Sequence, residues 1–258
     1  MSTFPGGTSL SFLDVYDDAA PDGVVGGSPH LHLASTECYA VVGGEGELHT
    51  VTPAGCREIP LHPGAVVWFT PGTVHRAVNH GGLRVVVLMG NAGLPEAGDA
   101  VMTFPADVVA DPDRYRAAAT LPPRATEAER AADARARRDL AVEGFLPLRD
   151  AVRAGDPEPL LTFHAAAAAL VRERAGGWGA IVRGGPLDQA GTTLALVGDV
   201  ARGVAPHLRR AVVHEARRPE RVFGMCGRLS PVDVSAAPAA PPAAPAARPG
   251  PPDEERLS

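Results

Sequence analysis

The stretch Pro29-His30-Leu31-His32-Leu33-Ala34-Ser35-Thr36-Glu37, with Pro71-Gly72-Thr73-Val74-His75 further on, constrains this chain more than any other feature. Side chains two apart on a β-strand share a face. A strand through His30 and His32 therefore points both imidazoles the same way. Glu37 opens the next strand after a short turn, close enough to join them, and His75 arrives from a distant strand. A closed β-structure could aim all four at one ion. Imidazoles together with a carboxylate suit Fe, Mn, Ni, Cu or Zn. Coordination positions left over can take substrate, water or O₂.

The surroundings read as short strands at Leu10–Tyr16, Pro29–Leu33, Glu37–Val42, Glu47–Thr52, Arg57–Pro60, Val66–Phe69, His75–Asn79 and Leu83–Met89. Between them stand Gly26-Gly27, Gly43-Gly44, Pro53-Ala54-Gly55, Pro63-Gly64 and Gly81-Gly82. Short, evenly spaced strands with this punctuation point to an all-β sandwich or barrel.

In order and spacing these residues resemble the cupin superfamily in its small single-barrel form. The first cupin motif has two His one residue apart, then a Glu, then a Gly; here they are His30, His32, Glu37 and Gly44. The second has a Gly, a Pro/Gly turn, a His and an Asn; here they are Gly64, Pro71-Gly72, His75 and Asn79. Thr70 replaces a frequent proline, and Ala65 a preferred acidic residue, neither of which is a ligand. An HxH pair or a PGxxH turn alone is weak; their conjunction with both glycines carries the likeness. It covers Leu10–Asn91. It implies a mainly β N-terminal domain, a double-stranded β-helix or jelly-roll barrel over 1–104, with His30, His32, Glu37 and His75 as metal ligands.

From about Pro105 to Pro231 the composition turns to Ala, Arg, Leu and Glu. A helix is expected over Thr126–Val142, with Thr126 as N-cap and Glu129 three residues on. Asp156 can cap another from Pro157 to about Ala175. Further helices are expected over Leu187–Ala201 and Pro206–Arg217. The organisation predicted is thus a barrel (1–104), an α-helical region (105–231) as a small bundle or a layer on the barrel, and a Pro/Ala-rich tail (232–258) expected to be disordered.

Tyr39 and Val41 share a face with Glu37 and should line the interior. Tyr39 could donate a hydrogen bond to substrate or simply pack. Asn79 lies four after His75 and could orient a ligand or close the strand end. The face of His49 depends on register, and Cys38 should point away from the metal. His207 and His214 could share a helix face, though nothing else supports a second site. Arg209, Arg210, Arg217, Arg218 and Arg221 read as a solvated basic face. Phe223-Gly224-Met225-Cys226-Gly227-Arg228 is an unusual hexapeptide that could dock on the barrel mouth.

The net charge of −6 argues against non-specific nucleic-acid binding. Every basic side chain other than His is Arg, which excludes a Schiff-base lysine and suits a GC-rich, actinobacterial genome. The three cysteines form no CxxC pair and read as reduced thiols. No run approaches the roughly 20 apolar residues of a membrane span. No secretory signal is visible, so a cytoplasmic location is expected. The resemblance implies a metal-dependent enzyme acting on a small molecule. A dioxygenase-type oxidoreductase or an isomerase/cyclase is expected, with iron preferred over Mn, Ni, Zn or Cu. The alternative is a non-catalytic binding or sensor cupin. An exposed barrel edge would favour a homodimer.

Overall fold

The computed structural model describes residues 4–216 and 220–234. Its strands are β1 (Ser9–Val15), β2 (His30–His32), β3 (Glu37–Thr52), β4 (Gly55–Leu61), β5 (Val66–Phe69), β6 (Val74–Met89), β7 (Ala100–Met102), β8 (Val222–Phe223) and β9 (Gly227–Pro231). All pair antiparallel, in the order β4-β3-β6-β1-β9-β8, with β5 on β3 and β2 between β6 and β7.

The spine is the pairing of β3 with β6. Each is one long strand where the punctuation predicts two short ones. Glu37–Val41 pairs with the far arm of β6, and Gly46–Val51 with its near arm, across register shifts between Val41 and Gly46. The glycines there bend a continuous ladder instead of ending it. Gly44 has φ +71°, and a Cβ on it would lie 2.1 Å from the Gly82 carbonyl oxygen, so only glycine fits.

Two cores flank the barrel wall. Leu13, Val41, Leu48, Leu83 and Val85 fill its interior. Leu31, Val101, Phe104, Ala141, Phe145, Leu160 and Phe163 form the second core, between the wall and the helices. Strand alternation at β2 explains its placement: His30 and His32 face inward, whereas Leu31, fully buried, faces the helices. Burying such a leucine is worth about 1.5–3 kcal/mol.

The helices are α1 (Ala106–Val109), α2 (Pro112–Ala119), α3 (Glu127–Arg153), α4 (Glu158–Ala175), α5 (Trp178–Val182) and α6 (Asp188–Ala201). The Thr126–Glu129 capping box is formed. At the next helix start, Asp156 Oδ1 accepts from the Glu158 N–H at 3.0 Å. α3 runs past the expected end at Val142 and carries Pro147 internally, because buried Phe145 and Val152 on either side anchor its second half. Buried Arg138 ties α3 to the loop after β1, donating to the Asp18 and Ala19 carbonyls at 2.9 Å each.

The structure departs from the expected organisation in three further places. Only Pro206–Arg210 forms a short 3-10 turn of the predicted Pro206–Arg217 helix, so His207 and His214 share no helix face. Val212 and Val213 are exposed and offer no packing to stabilise a helix. Val222–Pro231, expected in the helical region, returns to the barrel as β8 and β9, where β1 supplies a pairing edge. Ala100–Met102 adds a strand that the punctuation did not reveal. Arg217, Arg218 and the tail from Ser235 lie outside the described residues. No helix among the described residues is long and apolar enough to cross a membrane.

Candidate metal centre

Three strands deliver the four side chains. On the short β2, His30 pairs directly with His75 at the start of β6. Glu37, the first residue of β3, pairs with Met89 at the end of the same β6 and with Phe69 of β5. The donor atoms of His30, His32, Glu37 and His75 all lie within 4.8 Å of one another, and all four residues are buried. Glu37 Oε2 is 3.2 Å from His32 Nε2 and 3.1 Å from His75 Nε2. Donors bound at right angles to one ion with bonds of about 2.1 Å stand about 3.0 Å apart. The spacing therefore suits ligands sharing an ion.

The hydrogen bonding points the same way. Among the described residues, Glu37 Oε2 and His75 Nε2 have no hydrogen-bond partner despite their burial. The atoms are close but misaligned for a bond to each other. Leaving such groups unsatisfied is costly, and a cation between them removes the cost. The other ring nitrogens are occupied. His30 Nδ1 lies 3.0 Å from the Ser28 carbonyl, and His75 Nδ1 lies 3.2 Å from the Thr73 carbonyl. A carbonyl only accepts, so both Nδ1 atoms carry the proton and both Nε2 lone pairs are free to bind metal. The donor set thus fits a divalent transition metal.

His32 Nδ1 is 2.8 Å from Asp99 Oδ1, and Asp99 Oδ2 accepts from the Ser35 N–H at 2.9 Å. Asp99 is fully buried and completes a carboxylate–histidine pair of the kind that orients metal-bound imidazoles. Sequence reasoning missed it. It follows Gly98 in a loop, and only the pairing of β7 with β2 brings it beside His32.

The charges are mutually adjusted. Burial opposes the Glu37 carboxylate, but His75 and His32 outweigh it and hold its pKa well below the ordinary carboxylate value. Burial likewise opposes a charged His32, but Asp99 and Glu37 raise its pKa to about 9. Burial, with His75 and His32 nearby, pushes His30 well below the usual histidine value and keeps it neutral.

Tyr39 is buried on the same face as Glu37, its phenol beside the Glu37 carboxylate and the Cys226 thiol. Burial, then Glu37, raises its pKa well above the ordinary value, so it stays a proton donor. Burial and Glu37 also push the Cys226 thiol up to about 12. A cavity of about 280 Å³ opens against His30, His32, Glu37 and Tyr39.

Asn79 is elsewhere. Its Oδ1 accepts from the Gly81 and Leu83 N–H groups at 2.9 and 3.0 Å, and its Nδ2 donates to the Val15 and Tyr16 carbonyls at 3.2 Å each. All its hydrogen-bonding capacity goes to the bend of β6 and the end of β1, leaving none for a substrate. His49 lies apart from the four, 2.9 Å from Glu47.

Residues 19–90 match the family model of the cupin domain. Similar solved structures include one described as DMSP lyases RdDddP and RnDddQII, 21% identical over 37% of this chain and 42% of that one, with a TM-score of 0.28. Another is an uncharacterized conserved protein with a double-stranded beta-helix domain from Klebsiella pneumoniae, 22% identical over 36% of this chain and 75% of that one, TM-score 0.27. A third is a Cupin 2 conserved barrel domain protein from Salinispora arenicola, 23% identical over 36% of this chain and 71% of that one, TM-score 0.28. The chain thus spans less than half of the first of these. No curated protein matches the chain. The match of residues 19–90 to the cupin domain falls on the antiparallel barrel that carries the four candidate ligands.

Proposed function

We propose that this protein is a metal-dependent enzyme acting on a small molecule, of the dioxygenase type, with iron as its resident ion. One observation carries the reading: a complete donor set of three imidazoles and one carboxylate adjoins a cavity large enough for a substrate. A scaffold or storage role has no use for that combination.

His30, His32, Glu37 and His75 would hold the ion, which when bound supplies Lewis-acid and one-electron chemistry. Glu37 enters as a carboxylate and His30 as a neutral ring, the forms that ligation requires. Asp99 fixes the ring of His32. Tyr39 holds a proton at Oη beside the ligand carboxylate, placed to donate a hydrogen bond to a substrate oxygen. Leu13, Val87, Met89 and Leu229 line the cavity with apolar surface and exclude water from the reacting atoms. An isomerase or cyclase would use the same residues, and the protonated Tyr39 favours it as the second reading.

The test begins with elemental analysis of protein purified without an affinity tag. Anaerobic reconstitution with Fe(II) and oxygen-uptake assays against catechols, thiols and diketones follow. Oxygen consumption lost in His30→Ala supports the dioxygenase. Isomerised or cyclised product without oxygen uptake supports the second reading. A metal-loaded protein that turns over none of these compounds would turn the assignment to a binding or sensor cupin.

A further inference from the structure

Phe223-Gly224-Met225-Cys226-Gly227-Arg228 lies far from the motif residues in sequence, yet it reaches the metal-site cavity. Two side chains from different elements meet on the Gly224 carbonyl: Tyr16 Oη donates at 2.9 Å and Arg137 Nη2 at 2.7 Å. The Tyr16 N–H donates to the Cys226 carbonyl at 3.2 Å, and the Ser28 N–H to the Met225 carbonyl at 3.0 Å. The Ser28 carbonyl in turn receives His30 Nδ1. One residue therefore links this segment to a candidate ligand. Beyond the hexapeptide, β9 runs along β1 from Val15↔Gly227 to Ser11↔Pro231. The approach is tight: a Cβ on Gly227 would lie 2.0 Å from the Asp14 carbonyl oxygen.

The segment then forms one side of the cavity. Cys226, Leu229 and Pro231 line it together with Val87 and Met89. Besides Glu37 and the imidazoles, the only charged side chain lining the cavity among the described residues is Glu96. The lining contributed by Leu13, Val87, Met89, Leu229 and Pro231 is apolar. No arginine among the described residues lines the cavity to pair with an anionic substrate.

We propose that Val222–Pro231 is a strap that closes the outer wall of the metal-site cavity, and that this wall selects small, uncharged substrates with an apolar body against carboxylates and phosphates. The selection rests on the metal-centre reading above. The strap is held by the Tyr16–Arg137 clamp, in which α3 supplies Arg137. Leu229 and Pro231 are specificity-determining residues, and Arg137 is a positioning residue acting through Gly224.

The experiment uses the full chain loaded with Co(II), whose visible spectrum reports ligand entry. Catechol and 3,4-dihydroxybenzoate differ only in a carboxylate. The wild type is expected to bind catechol at least ten-fold more tightly. Leu229→Arg and, separately, Pro231→Arg place a counter-charge in the wall and are expected to cut that preference at least ten-fold. Equal binding of the two probes by the wild type would overturn the selection. So would an unchanged preference in both variants with native circular dichroism and full Co(II) loading. A wild type that binds no Co(II) would sink the metal reading and the selection with it. The strap is read without metal, by hydrogen exchange at the Tyr16 and Ser28 amides. Tyr16→Phe/Arg137→Met should speed both at least ten-fold while the β3–β6 amides stay protected. Unchanged exchange would overturn the clamp.

Discussion

Asp99 Oδ1 lies 2.8 Å from His32 Nδ1 across 67 residues of sequence. The contact orients the imidazole and sets its tautomer. It also adds a second buried carboxylate to a centre that already holds Glu37. Because the other Asp99 oxygen is bound to the Ser35 backbone, the pair is rigid from both ends.

Replacing Asp99 should therefore weaken metal binding without removing a ligand. Asp99→Asn keeps the shape and loses the charge. Affinity for Co(II) or Zn(II), measured by competition with a chromophoric chelator, is expected to fall about 10–100-fold. Binding at wild-type strength would mean that His32 needs no such support.

Metal should also stabilise the fold. A ligand that binds only the native state at a hundred times its dissociation constant contributes about 2.7 kcal/mol. Urea unfolding with saturating metal, against unfolding in excess EDTA, should show a difference of this order. His75→Ala should abolish it. A chelator-insensitive midpoint in the wild type would contradict occupancy of the site.

Acid stability should depend on Asp22. Its carboxylate is 2.6 Å from the guanidinium of Arg76, which is 1% exposed. Burial opposes the charge, yet the Arg76 hydrogen bond and charge bring the Asp22 pKa below its ordinary value. A lowered folded-state pKa gives stability that is full above the unfolded value, near pH 4, and lost as pH falls through the folded value. Asp22→Ala leaves Arg76 buried without its counter-charge, at an expected cost of about 3 kcal/mol near pH 7. The variant and wild type should converge as pH drops below about 4, as followed by thermal unfolding across pH.

Gly44→Ala tests the bend in β3. The left-handed conformation alone costs an L-residue about 1–2 kcal/mol, and the overlap with the Gly82 carbonyl adds to it. Equilibrium unfolding should show a loss of more than about 2 kcal/mol. A smaller loss would mean that the bulge relaxes.

The convergence of His30, His32, Glu37 and His75 was legible because each step toward it is local. Alternation along β2 aligns the two histidines and sends Leu31 to the opposite face. Glycines and prolines mark the turns that bring the other two. The same punctuation misled where it bends a strand without ending it, so β3 and β6 read as four short strands. Asn79 illustrates a different difficulty. Its position after His75 is visible, but its partners Val15 and Tyr16 come from the opposite end of the barrel segment.

Local spacing and residue chemistry, then, determined the barrel segment and the donor set, since strand alternation and turn geometry act over a few residues. Three matters were left to the tertiary structure: the carboxylate that braces His32, the backbone role of Asn79, and the strap that Tyr16 and Arg137 hold over the cavity. Each depends on register between distant strands or on a helix returning the chain to the barrel. Such contacts form only when long loops close and two cores pack together, and no short-range pattern in the sequence encodes them.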